Sequence, residues 1–209
     1  MPAAAERLAW PPLLASAEIR LGHANFRNGR YSDAEAWLRR GLPRALEVGE
    51  GRLATEALYH LAYVAHEDKD PEQGLAWLDV ADGLLRRDGL VHASLGLQIL
   101  GVRAVLNQDV GQLAEADANY QELLPLLTEL YGEDSFSVVS HLNNAALLRA
   151  EQGDVAGARE IHERVQATRE AIFGPNHPRV ATSLMNRGLT YMRGGDFKSA
   201  RPLYERALA

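Results

Sequence analysis

At 209 residues the chain is long enough for one or two globular domains, and its 46% apolar content is too high for a disordered segment. The formal net charge of −6 comes without any Lys/Arg run, which excludes the basic footprint of a nucleic-acid binder, and the absence of cysteine excludes a disulfide framework or a thiolate metal site. Ala, Leu and Arg dominate and Pro is sparse, a helical composition.

The opening MPAAAERLAWPPLLA has no basic n-region, and Glu6 and Pro11-Pro12 interrupt any apolar core. It reads as the start of a mature cytoplasmic protein rather than a signal peptide. Even the long stretch without Asp, Glu, Lys or Arg from Gly89 to Val102 is too short to span a bilayer, so no membrane partner is expected. From there five helix–turn–helix units follow in order, at about 13–48, 52–87, 90–131, 136–173 and 178–208. Unit 1 pairs Leu13–Asn28 with Ser32–Val48, and Gly41 and Pro43 predict a kink in its second helix. Unit 2 pairs Arg52–Glu67 with Pro71–Arg87; its turn, Asp68-Lys69-Asp70, lacks the usual glycine and reads as a slightly strained turn. Unit 3 pairs Leu90–Gln108 with Gln112–Tyr131, unit 4 pairs Phe136–Gln152 with Val155–Phe173, and unit 5 pairs Pro178–Arg193 with Phe197–Leu208.

Turn chemistry supports these boundaries. Gly29, Gly111, Gly153 and Gly195 can take the left-handed conformation that ends a first helix. Asp70, Asp154 and Asp196 can accept a backbone N–H from the first turn of the next helix, and Pro71 and Pro178 fit first-turn positions. The units also repeat. A shift of 42 residues carries Gly195-Asp196 onto Gly153-Asp154, Ala200 onto Ala158 and Asn186 onto Asn144. Small residues recur on both helices, at Gly22, Ala62, Ala104, Ala146 and Gly188 on the first, and at Ala34, Gly74, Ala116, Ala158 and Ala200 on the second. Close helix approach at these points, with large apolar residues around them that one pair cannot bury alone, implies stacked repeats. The expected fold is all-α, a right-handed superhelical α-solenoid of about five antiparallel helix pairs forming one domain over 1–209.

Unit 5 carries Gly188, Tyr191, Ala200, Tyr204 and Ala207 in the order of the tetratricopeptide repeat. With the 42-residue period, the Gly174-Pro175-Asn176-His177-Pro178 linker and Leu142-Asn143-Asn144-Ala145-Ala146, the chain resembles the kinesin-light-chain-like subfamily of these proteins. The resemblance implies a concave groove lined by the first helix of each unit. Residues just before and after the small position would face it: Phe26; Tyr59, Tyr63 and His66; Asn143, Asn144 and Leu147; Met185, Asn186 and Leu189. Asn144 and Asn186 match the paired-Asn motif with which such repeats hold a peptide backbone, because an amide donates and accepts at once. The same amides could instead bond the neighbouring repeat. Tyr59, Tyr63 and His66 share one helix face, either as an aromatic anchor pocket or as packing between units. The two-carboxylate clamp of chaperone-binding members is not assembled, since Tyr59 and Gly101 stand where cations would be wanted.

Catalytic signatures are missing. There is no P-loop, no dinucleotide fingerprint and no nucleophile elbow. His66-Glu67 and His162-Glu163 begin like a zinc-protease helix but lack the second His. No catalytic residue, metal or cofactor is therefore expected. The reading is a non-catalytic scaffold that binds a protein or peptide segment in the groove. The alternative is a regulatory or sensor region of a larger bacterial signalling protein, binding a peptide or small-molecule signal. The last helix, with Phe197, Leu203, Tyr204 and Leu208, has no polar capping helix after it, so a longer natural chain or self-association through 197–208 is expected.

Overall fold

Asp70, Asp154 and Asp196 each accept the backbone N–H three residues on, from Gln73, Gly157 and Ser199, at 2.9–3.1 Å. The residue before each is left-handed, with φ of 63° at Lys69, 95° at Gly153 and 75° at Gly195. One helix ends and the next begins within three residues, so paired helices must run back along each other. In the computed structural model, which describes residues 10–89 and 94–208, all regular structure among those residues is helical. The helices are α1 (Pro11–Arg27), α2 (Tyr31–Glu47), α3 (Gly51–Glu67), α4 (Pro71–Asp88), α5 (Ser94–Asp109), α6 (Leu113–Tyr131), α7 (Phe136–Glu151), α8 (Val155–Phe173), α9 (Pro178–Arg193) and α10 (Phe197–Ala207). They match the expected boundaries to within a few residues. The expected start of unit 3 at Leu90 lies outside the described residues.

α2 is helical through Pro43, the residue at which a kink is expected. Gly41 has a different reason to be glycine: a Cβ there would stand 2.6 Å from Ile19 Cγ1, so its role is the close approach of α1. Gly22 does the same from the other side, where a Cβ would lie 2.5 Å from Leu38 Cγ.

Two compact units divide the chain after Gly111. In the first, α1 packs on α2 and α3 on α4, and α3 and α5 in turn pack on the preceding pair. The backbones of the first helices also come close to one another, α1 to α3 and α3 to α5, whereas α2 and α4 stand further apart and meet through side chains such as Arg39 over Trp77. The first helices thus form the inner row. Two apolar clusters fill this unit, one around Ala15, Ile19, Leu38 and Leu61, the other around Leu58, Leu78, Ile99 and Leu106. In the second unit α7 pairs with α8 and α9 with α10, and the first helices α7 and α9 are again in contact. Its core includes the small positions Ala146, Ala158 and Ala200 with Leu148, Val165 and Leu184.

An ionic clasp recurs between successive repeats. Arg103 on α5 donates to Asp79 and Asp82 on α4 at 2.9 and 2.8 Å. Arg187 on α9 donates to Glu163 and Gln166 on α8. Each counterpart is two 42-residue periods from the other. Polar side chains also enter the interior. Glu18 on α1 is buried and neutralised by Arg40 and Arg44 at 3.0 and 3.1 Å. His162 is 0% exposed in the position that Tyr120 and Tyr204 hold in their repeats, and neither of its ring nitrogens has a partner.

Candidate functional site

The inner row of the first unit holds a cleft of about 800 Å³. α1 contributes His23, Phe26 and Arg27, α3 contributes Arg52, Glu56, Tyr59, His60 and Tyr63, and α5 contributes Ser94, Leu95 and Gln98, with Leu85 and Asp88 from the end of α4. The α3 residues form one stripe because positions four and three apart stack on a helix face. The rings pack against one another. Tyr59 and Tyr63 meet edge to face with centroids 5.2 Å apart, Phe26 leans on Tyr63 at 5.5 Å, and His23 and His60 stack at 4.4 Å.

Burial sets the charge of this wall. It lowers the His60 pKa to about 4, assisted by His23, so the imidazole is neutral at physiological pH. It also raises the phenols of Tyr59 and Tyr63 above their ordinary range. The rings of Tyr59, Tyr63 and His60 are therefore neutral, and Arg27, Arg52, Glu56 and Asp88 bring full charges to the lining.

Of the expected cluster, Tyr59, Tyr63 and Phe26 come together here. His66 shares the face of α3 but lies a turn beyond, where its Nδ1 meets Asp109 Oδ2 of α5 at 2.7 Å, away from the cleft. His60 and Glu56 were not anticipated. The stripe Arg52, Glu56, Tyr59, Tyr63 follows helical spacing, and extending the cluster one turn toward the N-terminus of α3 identifies Glu56.

The second unit holds an amide ladder. Asn186 Nδ2 donates to Asn143 Oδ1 at 3.0 Å, and Asn143 Nδ2 donates to Asn144 Oδ1 at 3.3 Å. Asn143 is 4% exposed and spends its amide on Asn186 of the next repeat and on its own neighbour Asn144, while Asn144 and Asn186 are half-buried at the ladder's ends. Leu147 and Leu189 are also half-buried, and Met185 is 52% exposed. Arg193 reaches back to the Leu147 carbonyl at 3.2 Å, tying α9 to α7. Among the described residues no group of three or more His, Asp or Glu side chains could hold a metal ion, and no helix is long and apolar enough to cross a membrane.

Residues 137–209 match the profile of the tetratricopeptide repeat family. Among solved structures, BtubC (BKLC) from P. vanneervenii superimposes with a TM-score of 0.80 at 26% identity, over 99% of this chain and 85% of that one. A putative kinesin light chain from Podosopora anserina with nearly identical TPR-like repeats gives 0.74 at 18% identity, over 95% and 94%. A Rap protein complexed with Competence and Sporulation Factor gives 0.75 at 15% identity, over 94% of this chain and 53% of that one. No curated protein sequence matches the chain. Residues 137–209 thus carry tetratricopeptide repeats, and nearly the whole chain has the fold of kinesin-light-chain-like repeat proteins. Proteins built from these repeats are generally non-catalytic scaffolds, and the fold supports that role.

Proposed function

We propose that the chain is a non-catalytic scaffold that docks an extended peptide or protein segment across the first helices of its repeats. The observation that carries this reading is the ring-lined cleft of about 800 Å³ running over α1, α3 and α5. Its size is that of ligand-binding sites, and its apolar rings with a few polar groups suit a docked side chain. The amide ladder offers a second contact, since Asn144 Nδ2 and Asn186 Oδ1 stand outside its internal bonds and can pair with a peptide backbone.

The test is a random decapeptide library selected on the whole chain, followed by affinity measurements on Tyr59→Leu/Tyr63→Leu and Asn144→Ala/Asn186→Ala variants. Each lost amide bond is worth about 0.5–1.5 kcal/mol, so the Asn pair lowers affinity severalfold with helicity unchanged. Selected peptides that bind both variants as tightly as the unaltered chain contradict the reading.

A second reading makes the chain a sensor region of a larger bacterial signalling protein, in a cytoplasmic setting. It draws support from the likeness to Rap proteins, one of them solved with the Phr* peptide at a TM-score of 0.70. It predicts that a peptide bound in the first unit changes hydrogen exchange in the second. A response confined to the first unit favours the plain scaffold. Self-association through 197–208, where Phe197 on α10 is 65% exposed and Leu208 just after it 89%, predicts a mass that rises with concentration in light scattering; a constant monomer mass opposes it.

A further inference from the structure

Several surface aromatics in this chain carry an arginine of the chain itself. Arg40 lies over Trp37 at 4.8 Å, Arg39 over Trp77 at 5.2 Å, Arg179 over Phe136 at 4.1 Å and Arg159 over Tyr191 at 4.2 Å. The rings of Phe26, Tyr59 and Tyr63 carry none from the described residues, although Arg27 and Arg52 border the same cleft. Arg27 is exposed in the last turn of α1, where its charge suits the helix dipole. The Arg52 side chain is 79% exposed and, among the described residues, pairs with Glu56 alone, an i,i+4 contact at 3.3 Å.

The carboxylates lie deeper than these guanidinium groups. The Glu56 side chain is 36% exposed and stands one turn before Tyr59 and His60 on the same helix face. Asp88 is already committed, taking two bonds from Arg87 at 2.8 and 3.3 Å. Among the described residues, Glu56 is the cleft carboxylate whose one ion-pair partner is a weak, solvent-facing one. Neutral ring faces beside an under-partnered carboxylate match a guanidinium, which stacks on rings and donates to a carboxylate from one planar group.

Resting on the docking role proposed above, we infer that the cleft is specific for an arginine side chain of the docked peptide, held by Tyr59, Tyr63 and Phe26 and by the Glu56 carboxylate once it exchanges Arg52 for the ligand. The chain's net charge of −6 favours approach of such a basic segment.

The experiment starts from random decapeptides selected on the unaltered full chain and read for composition. Each selected arginine is then replaced by citrulline, which keeps the shape and removes the charge. The expected results are enrichment of arginine among selected peptides and about a tenfold loss of affinity on citrulline replacement. Glu56→Gln is expected to weaken the arginine peptide while leaving the citrulline peptide unchanged, a coupling that general loosening of the fold does not produce. Equal affinity of the two peptides, or selection of acidic or uncharged aromatic peptides, overturns the inference while leaving the docking role standing. Selection that yields only peptides indifferent to Tyr59→Leu/Tyr63→Leu removes the cleft as the docking site and the inference with it.

Discussion

Lys69 holds φ at 63° in a turn whose counterparts are Gly153 and Gly195. An L-residue loses about 1–2 kcal/mol in that region, and glycine's extra freedom in the unfolded chain offsets about 0.4–1. Lys69→Gly is therefore expected to stabilise the chain by about 1 kcal/mol, read as a raised urea midpoint at unchanged slope. His162 is the other residue at odds with its place. Burial first, then Arg169 and Arg187, lower its pKa from 6.5 to about 4. The folded state thus favours the neutral ring, and stability is full above pH 6.5 and falls as the pH drops toward 4. The loss is about 3 kcal/mol at the acid end. His162→Tyr, copying Tyr120 and Tyr204, should flatten that limb of the stability profile; an unchanged acid limb would show that His162 is not its source. Burial could not be read at these sites. Nothing in the residue type distinguishes buried His162 or Glu18 from surface polar groups, because the rotation between repeats decides which face is covered.

At the scale of the helix, legibility was highest where backbone chemistry is local. The helix limits followed from the Gly-Asp turns, and the small positions followed from periodicity, both within reach of one strand of sequence. The helix runs on through Pro43, and the nearby Gly41 serves the close packing of Ile19, a contact between helices that no local signal carries. The inter-repeat clasps escaped notice since they join residues 21 to 24 positions apart on different helices. Arg103 is mostly covered, with 18% of its side chain exposed, yet its acidic partners reach solvent, so the clasp is worth about 1 kcal/mol. Arg103→Leu should speed hydrogen exchange in α5 by about that amount and leave α9 unaffected. Exchange accelerated equally in both helices would mean that the clasp is not a local tie.

Across the whole molecule, the family and the inner face were readable because 42-residue periodicity survives divergence at most other positions. The site was readable in part. Phe26, Tyr59 and Tyr63 do share a cleft, but His66 binds Asp109, and Asn143 serves its neighbours before any ligand. Sequence spacing assigns a helix face, whereas hydrogen bonds between repeats depend on how successive helices are placed. The central claim is that segments dock on the first helices of the repeats. Its most direct test is photo-crosslinking of a benzophenone-bearing peptide, taken from the selected decapeptides, with the attachment sites mapped by mass spectrometry. The account predicts crosslinks on α1, α3 and α5 around Phe26, Tyr59 and Tyr63; crosslinks confined to the second helices α2 and α4 would contradict it.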